Sequence, residues 1–160
     1  MTTSGSTNFE PNVTEFIEEA YERCGLELRT GYDLKSALRS VNIMLAEWAN
    51  RGLNQWTIDQ STQTVTQGTY DYALNSNVID VLDVVVRRTV NNIQTDISMS
   101  RLSRSEYLNI PNKETQARPS QFFLDKSITP VLKVWPAPEN STDVIVFNKI
   151  IRMDDADAAN

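Results

Sequence analysis

Residues 30–52, TGYDLKSALRSVNIMLAEWANRG, decide how the rest of the chain is read. Leu34, Ala37, Leu38, Val41, Leu45 and Trp48 recur at spacings of three and four, which places them on one face of a helix. Thr30 followed by Asp33 has the form of a capping box, and Gly52 suits the left-handed residue that closes a helix. At 3.6 residues per turn the segment predicts a helix of about five turns, the spine of the molecule. On this reading Leu45→Asp buries an unpaired charge and prevents folding.

Working outward, Asn12 and Glu15 form a second capping pair ahead of the stripe Val13, Phe16, Ile17, Ala20 and Cys24, which Gly25 ends. This predicts a first helix of roughly 12 residues, short enough to need packing on the spine. Cys24 is expected as a small buried hydrophobe. Residues 1–11 are mostly Ser, Thr, Gly and Asn and are expected as a flexible arm.

After Gly52 the period changes from helical to alternating. Residues 55–66, 69–74, 78–90 and 93–102 read as strands, with Asn91-Asn92 as a hairpin turn. Ser103 and Glu106 cap one helical turn over 105–109, and 111–119 reads as an exposed loop. Residues 121–126, 131–135 and 143–153 complete the strands, with 131–135 placed near a sheet edge because Pro130, Pro136 and Pro138 surround it. The acidic tail 154–160 is expected to be flexible. The segregated elements predict an α+β chain: arm 1–11, helical domain 12–52, antiparallel β domain 53–153 with one helical turn, and tail 154–160.

Composition bounds the chemistry. The 160 residues hold 21 acidic and 15 basic side chains and no histidine, a net charge of −6 that argues against a general nucleic-acid binder. One cysteine permits no internal disulfide, and with no histidine the usual zinc sets are gone. No apolar run approaches the roughly 20 residues that span a bilayer, so an intracellular, soluble protein is expected. The five glycines are scattered, which leaves no phosphate loop, and no Ser-His or Cys-His nucleophile can be built. Glu18, Glu19 and Glu22 could pair as acids, but they lie on a polar helix face that does not desolvate either partner. Asp80 and Asp83 fit the outward side of a strand. No catalytic, cofactor-binding or metal-binding residue is therefore expected.

The aromatic residues divide. Trp48 and Trp56 suit a core between helix and sheet, and Trp135 suits either a docking knob or a capped strand end. Phe122 and Phe123 are adjacent on a strand, so one must leave the sheet core and requires another covering surface, which points to a partner.

Three stretches, IMLAEWANRGLNQWTID (43–59), RLSRSEYLNIPNKETQARPSQFF (101–123) and LKVWPAPE (132–139), together resemble the head-to-tail adaptors of tailed bacteriophages, also called tail accessory factors or tubular tail protein A. The resemblance implies a helical bundle carrying a β-rich, sandwich-like insertion, and a non-enzymatic role in the virion neck. It implies a homo-oligomeric, twelvefold ring beneath the portal protein that extends the DNA channel toward the nozzle or tail hub. DNA then passes without sequence-specific binding, and assembly takes place in the host cytoplasm. Members of that family continue past the last strand into portal-docking helices, whereas seven residues follow Met153 here, so no portal contact is assigned. The alternatives are another neck or tail-completion protein and a tail-associated peptidoglycan hydrolase that uses the glutamates.

Overall fold

The computed structural model describes residues 11–27, 30–53 and 57–156. They form two compact units, one drawn from Met1–Leu53 and Met153–Asn160, the other from Asn54–Arg152. The expected N-terminal arm and Trp56 lie almost wholly or wholly outside the described residues.

In the first unit, α1 (Val13–Arg23) and α2 (Gly31–Asn50) start and stop where their caps dictate. The Asn12 side chain accepts from the Glu15 amide at 2.8 Å while the Glu15 carboxylate accepts from the Asn12 amide at 3.1 Å, satisfying two orphan donors. Thr30 accepts from the Asp33 amide at 3.3 Å. Gly25 and Gly52 hold φ of 71° and 78°, and the amides that follow them return to Tyr21 and Trp48, each five residues back. The two helices pack on each other. Leu34, Ala37, Leu38, Val41 and Leu45 are the half-covered face of α2, yet no α2 residue is buried.

Cys24 is exposed, contrary to expectation. It caps α1 beyond the last helical turn, and a single neighbouring helix covers only part of the α1 stripe. Ile17 is buried, whereas Phe16, about 100° further round the axis, is 58% exposed. The tail is also less free than expected. The Asn42 side chain donates to the Ala156 carbonyl at 3.1 Å and accepts from its amide at 2.7 Å, while 157–160 lie outside the described residues.

The second unit holds the strands β1 (Ile58–Thr64), β2 (Asp71–Ala73), β3 (Val78–Val90), β4 (Ile93–Ser98) and β5 (Ser100–Arg101). After α3 (Arg104–Leu108) come β6 (Gln116–Ala117), β7 (Gln121–Asp125), β8 (Val131–Trp135), β9 (Ala137–Pro138) and β10 (Val144–Ile151). One sheet runs β1-β10-β3-β4, all antiparallel. The other runs β2-β8-β7-β5, antiparallel except for β5 against β7, and β6 pairs with β9 in parallel. Val81, Val84, Val86, Ile145 and Phe147 of the first sheet join Phe122, Leu124, Leu132 and Val134 of the second in one buried cluster. The two sheets are therefore the layers of a sandwich, with alternate side chains filling its centre.

This overturns the fold class expected from the sequence. Strand takes 38% of the described residues and helix 26%, so the chain is mostly β and is not a helical bundle with an insertion. The physical reason is where apolar area goes. Among the described residues, the buried hydrophobic ones apart from Ile17 all lie in the second unit, so burial, the main favourable term in folding, is concentrated between the sheets.

Two local expectations change as well, and a third is made definite. β8 lies near a sheet edge as expected, the second strand in, between the three-residue edge strand β2 and β7. Its prolines stand just outside it, so Val131–Trp135 keeps every ladder donor. The 111–119 loop contributes β6. Finally, the side chain that leaves the sheet at Phe122-Phe123 is covered from within the chain. Phe122 enters the core, and Phe123 stacks on Tyr107 of α3 with centroids 5.2 Å apart. That pair of phenyls gives no sign of a partner. The helical turn carrying Tyr107 is fixed by the reciprocal Ser103 and Glu106 cap.

β3 is longer than the ladder it serves. Its register against β10 slips between Val84 and Val81 and again between Asp80 and Val78, the mark of β-bulges. Leu82 and Ile79, at those slips, are 42% and 45% exposed. Asn91 and Asn92 hold φ of 50° and 64°, the two positive values that a tight hairpin turn demands.

Candidate functional site

Glu18, Glu19 and Glu22 are all exposed, and Glu19 is ion-paired with Arg23 one turn on. That is a solvated acidic face, which lacks the desolvation that an acid catalyst draws on. Among the described residues no three Cys, Asp or Glu side chains stand together as metal ligands, and no helix is long and apolar enough to cross a membrane. Among the depressions lined by described residues, three measure 240, 160 and 180 Å³, each below the roughly 300–1,000 Å³ of small-molecule pockets.

Two acids of the sandwich, Asp80 and Asp143, serve as ties. Asp80, half-buried instead of plainly outward, accepts from Arg101 at 2.7 Å, Lys126 at 3.0 Å and the Val81 amide at 2.8 Å. Burial pushes its pKa up, but these three donors outweigh burial and leave it below the ordinary value. Asp83 is exposed at the bulge. Asp143 is 3% exposed and accepts both arms of the Arg88 guanidinium at 2.9 and 2.8 Å, with Asn140 at 3.2 Å. Arg88 holds the Asp143 carboxyl below its ordinary range against the upward push of burial. Nothing in the spacing of 88 and 143 signals this pair, because it is made by strand pairing across the fold.

A depressed carboxyl pKa stabilises the fold above its unfolded value, 3.8 for an aspartate, and that contribution is lost as pH falls through the lower folded value. Asp143→Asn should therefore be less stable than the parent at pH 7 and show a flatter decline below pH about 4. Urea midpoints measured across that range test this, and parallel profiles for the two proteins would contradict the assignment.

Of the tryptophans, Trp48 is 41% exposed on α2. The Trp135 indole donates to the Asn112 carbonyl at 3.1 Å, which makes it a capped strand end.

What the chain does present is unpartnered surface. On the helical unit Tyr32 is 78% exposed and Ile43 63%, with Phe16 on α1 close behind. On the sandwich the edges are unequal. The β2 and β5 edges of one sheet are three and two residues long. The other sheet ends in β1 and β4, seven and six residues long, without proline, glycine or lysine. β1 pairs with β10 through seven consecutive positions with no slip. Long straight edges of this kind are templates for another strand, and isolated proteins usually blunt them. The sequence did carry a signal here: IDQSTQT is polar on both faces, which suits a strand at the margin of a sheet. Compared with known proteins, the chain matches no family model and no curated protein.

Proposed function

We propose that this chain is a structural subunit of a virion neck, a head-to-tail adaptor whose copies form a ring beneath the portal and prolong the DNA channel toward the nozzle. The observation that carries this reading is α2, a 20-residue helix with no buried side chain. A helix so placed gains most of its stability from packing, and surfaces such as Ile43 and Tyr32 are suited to cover by other subunits. The resemblance of residues 43–59, 101–123 and 132–139 supplies the identity of those neighbours, the portal and the nozzle. The fold found is not the one that the resemblance implies, so support comes from exposed surface and those stretches alone. An acidic protein suits a channel through which DNA slides without being held.

Purified portal rings incubated with the protein should sediment with it bound, and Ile43→Glu with Tyr32→Glu should weaken that binding. A chain that never joins portal rings at micromolar concentration, or that is imaged elsewhere in the particle, would refute the proposal. Placement of the density at another level of the neck would favour a tail-completion protein. The hydrolase alternative predicts peptidoglycan clearing that is lost in Glu18→Gln or Glu22→Gln.

A further inference from the structure

We propose that neighbouring copies join by adding β1 of one to β4 of the next, so that the β1-β10-β3-β4 sheet runs on from subunit to subunit. This rests on the ring reading above and names the contact that would build it.

Four facts about the sandwich converge. First, β1 and β4 are opposite margins of the same sheet. A contact between two different edges is head-to-tail, the kind that propagates by rotation and closes into a ring. Second, direction agrees. With four strands, each antiparallel to the next, β1 and β4 point opposite ways. A copy brought up by rotation alone therefore presents its β1 antiparallel to the waiting β4, and the alternation continues. A sheet of three or five such strands would have met in parallel.

Third, length and face agree. Val84 and Val86 point into the core, so their neighbours Val85 and Arg87 point outward. Following the ladders, Thr62, Thr64, Asp96 and Ser98 share that outward face. Within one copy Thr64 stands level with Asp96, through Val144 and Arg87. Opposing Thr64 to Gln94 keeps outward residues opposite outward residues and pairs five positions, from Thr64 with Gln94 to Gln60 with Ser98. It needs a stagger of two residues per copy, about 7 Å along the strand. A stagger of this sort is what tilts strands when a sheet closes on itself. Fourth, charge agrees. In this register Asp96 faces Thr62, its carboxylate remains free to hold Arg87 at 2.8 and 2.7 Å, and no acid opposes an acid.

The alternative use of these edges, β1 against β1 about a twofold axis, makes closed dimers and no ring. The two are separated by disulfide trapping in the full-length chain with Cys24→Ser. Directly opposed residues of an antiparallel pair lie about 4.5–5.5 Å apart at Cα, within disulfide reach. Gln60→Cys with Ser98→Cys should oxidise to a ladder of dimers, trimers and larger species, while either change alone gives no ladder. A dimer from Gln60→Cys alone would overturn the proposal in favour of twofold pairing. Rings seen by light scattering or imaging without cross-linking would overturn it while leaving the ring reading intact. Persistent monomers, with or without portal, would remove both. As a second test free of thiols, Gln60→Lys with Ser98→Lys should weaken assembly by roughly tenfold relative to Gln60→Lys with Ser98→Glu. Equal assembly by the two would reject the register.

Discussion

Ile145→Asp should leave the full-length protein without its sandwich, whereas Leu45→Asp should leave the sandwich in place. Ile145 is fully buried between the sheets, among Val84, Val86 and Phe147 of the same layer. An unpaired carboxylate there costs several kcal/mol after relaxation, of the same order as the roughly 5–15 kcal/mol that holds a domain together. Leu45 sits on a half-covered helix face in the other unit, where a carboxylate keeps much of its water. The expectation that Leu45→Asp prevents folding therefore gives way to a local loosening of the helices. Far-ultraviolet circular dichroism and urea unfolding of both variants decide the matter. A folded, cooperative Ile145→Asp, or a Leu45→Asp without strands, would show that the core has been placed in the wrong unit.

The second large effect is expected at Tyr107, which is 8% exposed and lies on the Phe123 ring. Tyr107→Ala removes the cover from one side of the second sheet and should cost about 3 kcal/mol. It should move the urea midpoint with little change in slope. Tyr107→Phe keeps the stack and should change stability at neutral pH by no more than about 0.5 kcal/mol. The phenol is pushed up to about 12, first by burial and then by the charges of Asp71 and Tyr70. A raised value means that its contribution is whole below the ordinary 10 and is lost as pH rises through about 12. Tyr107→Phe should accordingly flatten the alkaline decline between those two values. A cost below about 1 kcal/mol for Tyr107→Ala would mean that the stack is not what shields Phe123.

Much of the local structure was legible, because it is set by groups a few residues apart. The caps at Asn12 and Ser103, the turn at Asn91-Asn92, and the full extents of β3 and β8 all follow from short-range chemistry. What failed were inferences about which surface meets which. Periodicity shows that Leu34, Leu38 and Leu45 share a face, but not whether anything arrives to bury them. The prolines around β8 mark it as near an edge, but do not show that the strand outside it is β2, from 60 residues away in sequence. Phe123 looked unpartnered because its cover, Tyr107, comes from a single helical turn 16 residues earlier. The candidate assembly edges were half legible. The two-sided polarity of IDQSTQT marks a margin, but the fact that β4 is the opposite margin of the same sheet depends on the β1-β10-β3-β4 order, which only long-range pairing reveals.

The clasp between Asn42 and Ala156 sets a timetable for synthesis. Its two halves are 114 residues apart in sequence, so at about 5–20 residues per second the ribosome releases the second on the order of ten seconds after the first. All of β1 to β10 emerges in the interval. The helices, first out of the exit tunnel, are thus the last part to be finished, and a released chain truncated before Met153 should already contain the sandwich while its helices remain open to protease.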